Sequence, residues 1–226
     1  MQQIINRQSK AYVTWGLLAI TIGVFLVETF SGGSKNINTL IMLGAKTNGL
    51  VQEGQWWRLI TPIFLHIGVF HIFMNGFTLL YVGQILEPMI GHWRFFIIYI
   101  VSGIMGNLAS LAFGANNAIS AGASTSLFGM FAAFIAIAYI YRENRFLTEL
   151  GKSFLGLIVI NLLMDLTMSG IDIWGHVGGA IGGLLIGYAL GLPKINRPKM
   201  ILRILAIVLV VVISYFMYVK GMIVYG

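Results

Sequence analysis

Residues 120–130 read SAGASTSLFGM, and eight of these eleven are Ser, Ala, Gly or Thr. They open an apolar stretch in a chain otherwise rich in Leu, Ile, Phe and Val. Small residues at the head of an oily helix have two readings. They let helices approach closely, or one of the hydroxyls does chemistry. What surrounds the stretch decides between them.

The chain has 226 residues, 58% of them hydrophobic and 9% charged. An ordinary soluble domain carries about 25% charged residues. The mean hydropathy is +0.88. Such a composition cannot clothe a soluble surface, so the chain reads as an all-α integral membrane protein. There is no cysteine, which excludes disulfides, thiol catalysis and thiolate metal sites. The net charge of +7 is assigned to cytoplasmic loops, and no nucleic-acid partner is expected.

A spanning helix needs roughly 20 apolar residues. The apolar stretches predict seven spans, at about 12–30, 62–86, 93–114, 119–141, 150–168, 173–191 and 201–219. Breaks such as SGGSKN, EPMIGHWR, GANN, YRENR, SGID and LPKINRPK separate them. The first span is too long for the apolar core of a signal peptide and lacks a small-x-small cleavage site. With the N-terminus inside, the inner segments hold Arg7, Lys10, Arg94, Arg142, Arg145, Lys152, Lys194, Arg197, Lys199 and Arg203. The outer segments hold only Lys35, Lys46, Arg58 and Lys220. Ten against four predicts N-inside and C-outside. Residues 1–11 then form a short cytoplasmic N-terminus, 12–191 a six-helix core, and 192–226 a linker and seventh helix. The longest loop, about 31–61, lies outside and ends in GQWWRLITP, whose Trp56 and Trp57 suit a membrane interface.

In this topology spans two, four and six all run from outside to inside, so their N-terminal turns meet at one depth. Span two carries His66, His71 and Asn75, span four Ser120, Ser124, Thr125 and Ser126, and span six His176. Ser124 and His176 are expected roughly 5–10 Å below their helix starts, with His71 and Asn75 somewhat deeper. His71 and Asn75, four residues apart, share a helix face. Polar groups in hydrocarbon are costly unless paired or facing a cavity.

Taken singly, each residue has a packing role open to it. Ser124 is a small residue whose hydroxyl can bond the carbonyl four residues back. His71 and Asn75 can bond across helices, and His176 fits either an interhelical bond or catalysis. Gly175, Gly179, Gly183 and Gly187 form a close-packing stripe on span six, which brings His176 near span four. Taken together, the residues fill the roles of serine catalysis. A serine needs a base, usually histidine. The oxyanion needs fixed donors. Ser124, His176, and Asn75 with His71 fit these roles, and Phe128, one turn after Ser124, is placed to hold the imidazole. No buried Asp is expected to complete a triad. Asp172, four residues before His176, is read as a helix cap.

The ordered set of WWR at 56–58, HIGVFHIFMN at 66–75, GQILEPMIGHWRFFIIYIVSGIMGN at 83–107, GASTSLFG at 122–129 and HVGGAIGG at 176–183 resembles the rhomboid family of intramembrane serine proteases. The resemblance implies a rhomboid-like bundle of six core helices plus a seventh, in a bacterial plasma membrane. It implies Ser124 as nucleophile, His176 as base, and oxyanion contacts from Asn75, His71 and the Ser124 backbone N–H. Arg58 and Glu87 would be structural, tying down the first loop and the end of span two. His66 would be more structural than catalytic, and Gly179 and Gly183 would serve packing. The family most often has Gly directly after the nucleophile, whereas this chain has Thr125. Inactive relatives lack the serine or the histidine, and this chain keeps both.

The implied activity is hydrolysis of peptide bonds in or near transmembrane helices of membrane-protein substrates through a Ser-His dyad. Small residues are expected at the cut, with a weakened helix nearby. No metal or cofactor is implied, and the oligomeric state is not fixed. A metalloprotease would need two His at helix spacing with an intervening Glu, which are absent. An aspartyl protease would need two facing carboxylates, and Asp165 and Asp172 lie near opposite ends of one loop. A transporter would show internal repeats and mid-membrane charges. The alternative is a non-proteolytic membrane protein that binds or chaperones transmembrane helices.

Overall fold

The computed structural model describes residues 10–168, 170–193 and 198–223. Arg7, Lys194 and Arg197, counted in the charge bias, lie outside the described residues. Among the described residues there are nine α-helices and no strand. They are α1 (Tyr12–Phe30), α2 (Ile37–Met42), α3 (Asn48–Gln52), α4 (Val69–Ile90), α5 (His92–Phe113), α6 (Ser124–Ile140), α7 (Arg145–Thr167), α8 (Ile173–Leu190) and α9 (Met200–Ile223). Two 3₁₀ turns, Trp56–Leu59 and Thr61–Phe64, precede α4. Six helices are long and apolar enough to cross a membrane, and α6 is a shorter apolar helix among them. Helices are what hydrocarbon demands, because it offers backbone groups no water to bond. The protein is an integral, multi-pass membrane protein.

Helix α6 is the central post. Thirteen of its seventeen residues are buried. It packs against α5, α7 and α8. The faces of α1, α4, α7 and α9 expose large apolar side chains, including Phe30, Phe70, Leu166 and Met200. That pattern is a lipid-facing ring around a packed centre. Helix α8 is wedged between α5 and α6 by glycines on two of its faces. A methyl at Gly178 would strike Ala109 on α5, and one at Gly179 or Gly183 would strike the carbonyl oxygens of Thr125 or Gly129 on α6. The expected stripe therefore does bring α8 against α6.

The ends of the spans depart from the sequence reading at informative places. Spans one, three and six fall within one residue of expectation. Span two begins at Val69 rather than 62, because Thr61–Phe64 is a 3₁₀ turn and Gly68, at φ +84°, blocks a continuous helix. His66 is consequently on a buried loop and not on a span. Span four begins at Ser124 rather than 119, because Ser120 pairs with Lys46 in an isolated antiparallel bridge. Ser124 is thus the first residue of its helix, not one 5–10 Å down. His71 is the third residue of α4 rather than one deep within a span that starts at 62, and Asn75 is one turn further along.

The first loop is built around Arg58. Its guanidinium is buried and donates to the carbonyls of Ile41 at 2.8 Å and Ala45 at 2.7 Å, and to Gln55 Oε1 at 2.7 Å. At the opposite end of the bundle, the fully buried Glu87 carboxylate accepts from Val13 N–H, Thr14 N–H and the Thr14 hydroxyl at 2.6–2.9 Å, and pairs with His92. It caps the start of α1, whose free N–H groups need acceptors.

Candidate active site

The segment leading into α6 is pinned at three points. Ser120 exchanges both backbone hydrogen bonds with Lys46 at 3.0 Å, Gly122 N–H donates to the Pro62 carbonyl at 2.9 Å, and Ala123 N–H donates to His66 Nε2 at 3.4 Å. His66 is fully buried, and its Nδ1 lies 3.3 Å from the Phe64 carbonyl. With the proton on Nδ1, Nε2 is left to accept. The backbone N–H of His66 in turn donates to the buried Glu28 carboxylate at 2.9 Å. Gly122 is at φ +142°, and a methyl there would come within 2.7 Å of the His71 ring. Only glycine fits that corner.

These restraints place Ser124 at the first position of α6, where backbone N–H groups lack intrahelical partners. Its Oγ lies 2.8 Å from Nε2 of His176. His176 is buried in the first turn of α8, and the Phe128 ring stacks on its imidazole with centroids 4.2 Å apart and planes 10° from parallel. Asn75 is buried, and its Nδ2 has no hydrogen-bond partner among the described residues. His71 is half-buried, accepts the Ile67 N–H on Nδ1 at 3.3 Å, and packs edge-on against His66. Ser124, His176, Phe128, His71 and Asn75 thus gather at the N-terminal turns of α4, α6 and α8.

One relationship overturns the sequence reading. Asp165, near the end of α7, holds Oδ2 2.6 Å from His176 Nδ1, with its side chain 6% exposed. A buried Asp therefore does stand behind the histidine. Asp165 is one of only seven acidic residues in the chain and interrupts the apolar run NLLMDLTM. That interruption is the signal the sequence offers. Asp172 instead caps α8, accepting Gly175 N–H at 2.9 Å, and its other oxygen accepts the Ser120 hydroxyl at 2.6 Å.

Thr125 also finds a physical place. Its Cβ and Cγ2 lie against Gly106 of α5 and Gly175 of α8. Glycines on both neighbours provide its room, and the side chain turns into the helix interface. Behind the loop, Lys46 is fully buried and donates to Ser110 Oγ at 2.6 Å. Burial pulls its ammonium down to about 8, against the opposing effect of the Asp172 carboxylate. Burial also pulls the Arg58 guanidinium down.

A protein-family model, the Rhomboid domain, matches residues 53–193. Rhomboid protease GluP of Bacillus subtilis is 40% identical over 214 residues, which cover 94% of this chain and 42% of that protein. Putative rhomboid protease YdcA of the same bacterium is 33% identical over 138 residues, 61% of this chain and 69% of the relative. Rhomboid-like protease 1 of Toxoplasma gondii is 35% identical over 153 residues, 66% of this chain and 52% of the relative. The chain spans less than half the length of GluP.

Proposed function

We propose, from the premise that this chain belongs to the rhomboid family, that it is a serine endopeptidase cutting peptide bonds in or near transmembrane helices of membrane-protein substrates. The observation that carries the reading is the 2.8 Å contact between Ser124 Oγ and His176 Nε2, set within the bundle at three converging helix starts. Ser124 is the nucleophile and His176 the general base. As Oγ bonds the scissile carbonyl carbon, its proton passes to Nε2. The carbonyl oxygen becomes an oxyanion, received by the Ser124 backbone N–H, the unpartnered Asn75 Nδ2 and His71. The C–N bond then breaks, Nε2 returns the proton to the leaving amine, and an acyl-enzyme ester remains. His176 takes a proton from water as the hydroxide attacks the ester, the acyl C–Oγ bond breaks to release the acid product, and Nε2 returns its proton to Ser124 Oγ.

Water reaches the site from the outer face. An open cleft of about 660 Å³, bordered by Lys35, Ile67, Asn117, Asp172 and Trp174, lies beside the start of α8. The N-terminus is cytoplasmic and the membrane is a bacterial plasma membrane. Substrates carry small residues at the cut and a helix easily unwound nearby, because an extended backbone must reach Ser124.

The test is labelling of the purified protein by a serine-reactive fluorophosphonate, beside cleavage of a panel of transmembrane proteins. Wild type is expected to label and cleave, while Ser124→Ala and His176→Ala do neither. Equal labelling and cleavage by wild type and Ser124→Ala would remove the protease reading and leave a helix-binding protein.

A further inference from the structure

We propose that Asp165 is a positioning residue that converts the Ser124–His176 pair into a Ser-His-Asp triad, with its third member supplied by α7. The inference rests on the protease reading above. Its basis is geometric. The Asp165 carboxylate lies 2.6 Å from Nδ1, while Nε2 faces Ser124 Oγ at 2.8 Å. A carboxylate can only accept, so Nδ1 must carry the proton, and Nε2 is left bare toward the serine hydroxyl. That is the one neutral tautomer in which His176 can take the serine proton. Once Nε2 is protonated, the carboxylate offsets the positive charge on the ring. The Phe128 stack fixes the plane of the ring, and Asp165 fixes its rotation within that plane.

Packing alone does not account for the placement. The buried residues of α7 are Leu147, Gly151, Phe154 and Ile158, all in its first two thirds. Around Asp165 the helix exposes Leu163, Met164, Leu166 and Met168. A carboxylate amid lipid-facing side chains is costly unless it has a charged or polar partner. His176 is that partner. His71, on α4, is a second titratable group that interacts with His176. His71 brings no negative charge, so the stabilisation of the imidazolium falls to Asp165.

The experiment measures the second-order rate of fluorophosphonate labelling at neutral pH, on the 226-residue chain in detergent. It compares wild type, Asp165→Asn, Asp165→Glu and Ser124→Ala. The small probe needs no helix displacement, so a mere tether of α7 would leave its rate unchanged. Asp165→Asn is expected to lower the rate by about 10²-fold or more at neutral pH. Asp165→Glu should recover part of the rate. An Asp165→Asn protein that labels within about threefold of wild type overturns the triad while the protease reading stands. Full labelling of Ser124→Ala overturns the protease reading itself. Should Asp165→Asn not fold, ¹⁵N-histidine spectra of wild type decide. A proton on His176 Nδ1 is expected, and a proton on Nε2 overturns the proposal.

Discussion

Gly183 on α8 faces the backbone carbonyl of Gly129 on α6 so closely that a methyl group there would overlap the oxygen. Backbone inside a packed helix cannot move aside as a flexible side chain can. Since Ser124 is on α6 and His176 on α8, this contact also sets the distance between them. Gly183→Ala is expected to lower stability by about 1–3 kcal/mol and to cut labelling of Ser124 with it. Gly156→Ala on α7, where a methyl would meet nothing within 4 Å, should leave both unchanged. Thermal unfolding in detergent beside fluorophosphonate labelling checks the pair.

Phe128 and His176 stack nearly parallel at 4.2 Å. An aromatic pair contributes about 0.5–1.5 kcal/mol beyond simple burial. Phe128→Leu keeps an apolar side chain of similar reach but loses the flat surface. Activity is expected to fall by roughly 2- to 10-fold, the rate equivalent of that energy. The fall should appear in kcat, since Phe128 acts on the base and not on the substrate.

Thr125 fits because Gly106 and Gly175 face it. Gly106→Ala should therefore be destabilising, as its methyl would come within 2.7 Å of Thr125 Cβ and 2.6 Å of the Gly175 carbonyl oxygen. Adding Thr125→Gly should restore part of the loss and not all of it, because the second clash remains. A double-mutant cycle on thermal stability reads the coupling, and strict additivity would refute this account.

Hydropathy locates the membrane segments but not where each backbone becomes helical. Ile63, Leu65 and Ala123 are as apolar as any helix residue, yet they belong to turns and loops that bury against the core. Apolarity alone therefore starts spans two and four too early and puts His66 on a helix. Ser124 and His176 are legible because each sits in a stretch of small residues, where a polar side chain stands out. Asp165 is not. Its charge interrupts an apolar run, but its partner lies on the next helix, and the pairing depends on how α7 is rotated, which the sequence around it does not encode. Lys46 reads as an outer-loop charge, since nothing in the sequence announces that Ser110 and Asp172 enclose it.

Asn75 Nδ2 is buried without a partner among the described residues. An unsatisfied amide contributes nothing to holding the fold, which agrees with the proposed contact to the oxyanion. Asn75→Ala is expected to slow cleavage by about 10²–10³-fold without abolishing it. Thermal stability should stay level or rise. A large loss of stability together with unchanged cleavage would assign Asn75 to structure.

Lys46 gives a pH dependence whose sign is the reverse of the usual lysine pairing. Its ammonium is held at about 8 in the fold, below its ordinary value of 10.5. Between those two values the unfolded chain binds a proton that the folded chain does not. Stability from this group therefore rises with pH across that window. Below about pH 8 the full cost of burying the charge is present in the folded state. Lys46→Met removes the titration along with the bond to Ser110, so the offset between the proteins carries no information and the slope does. From neutrality up to pH 10.5, the unfolding temperature of wild type is expected to gain on that of Lys46→Met. Parallel curves would show that Lys46 is either solvated or fully paired as a cation, and would overturn its assignment as a desolvated ammonium.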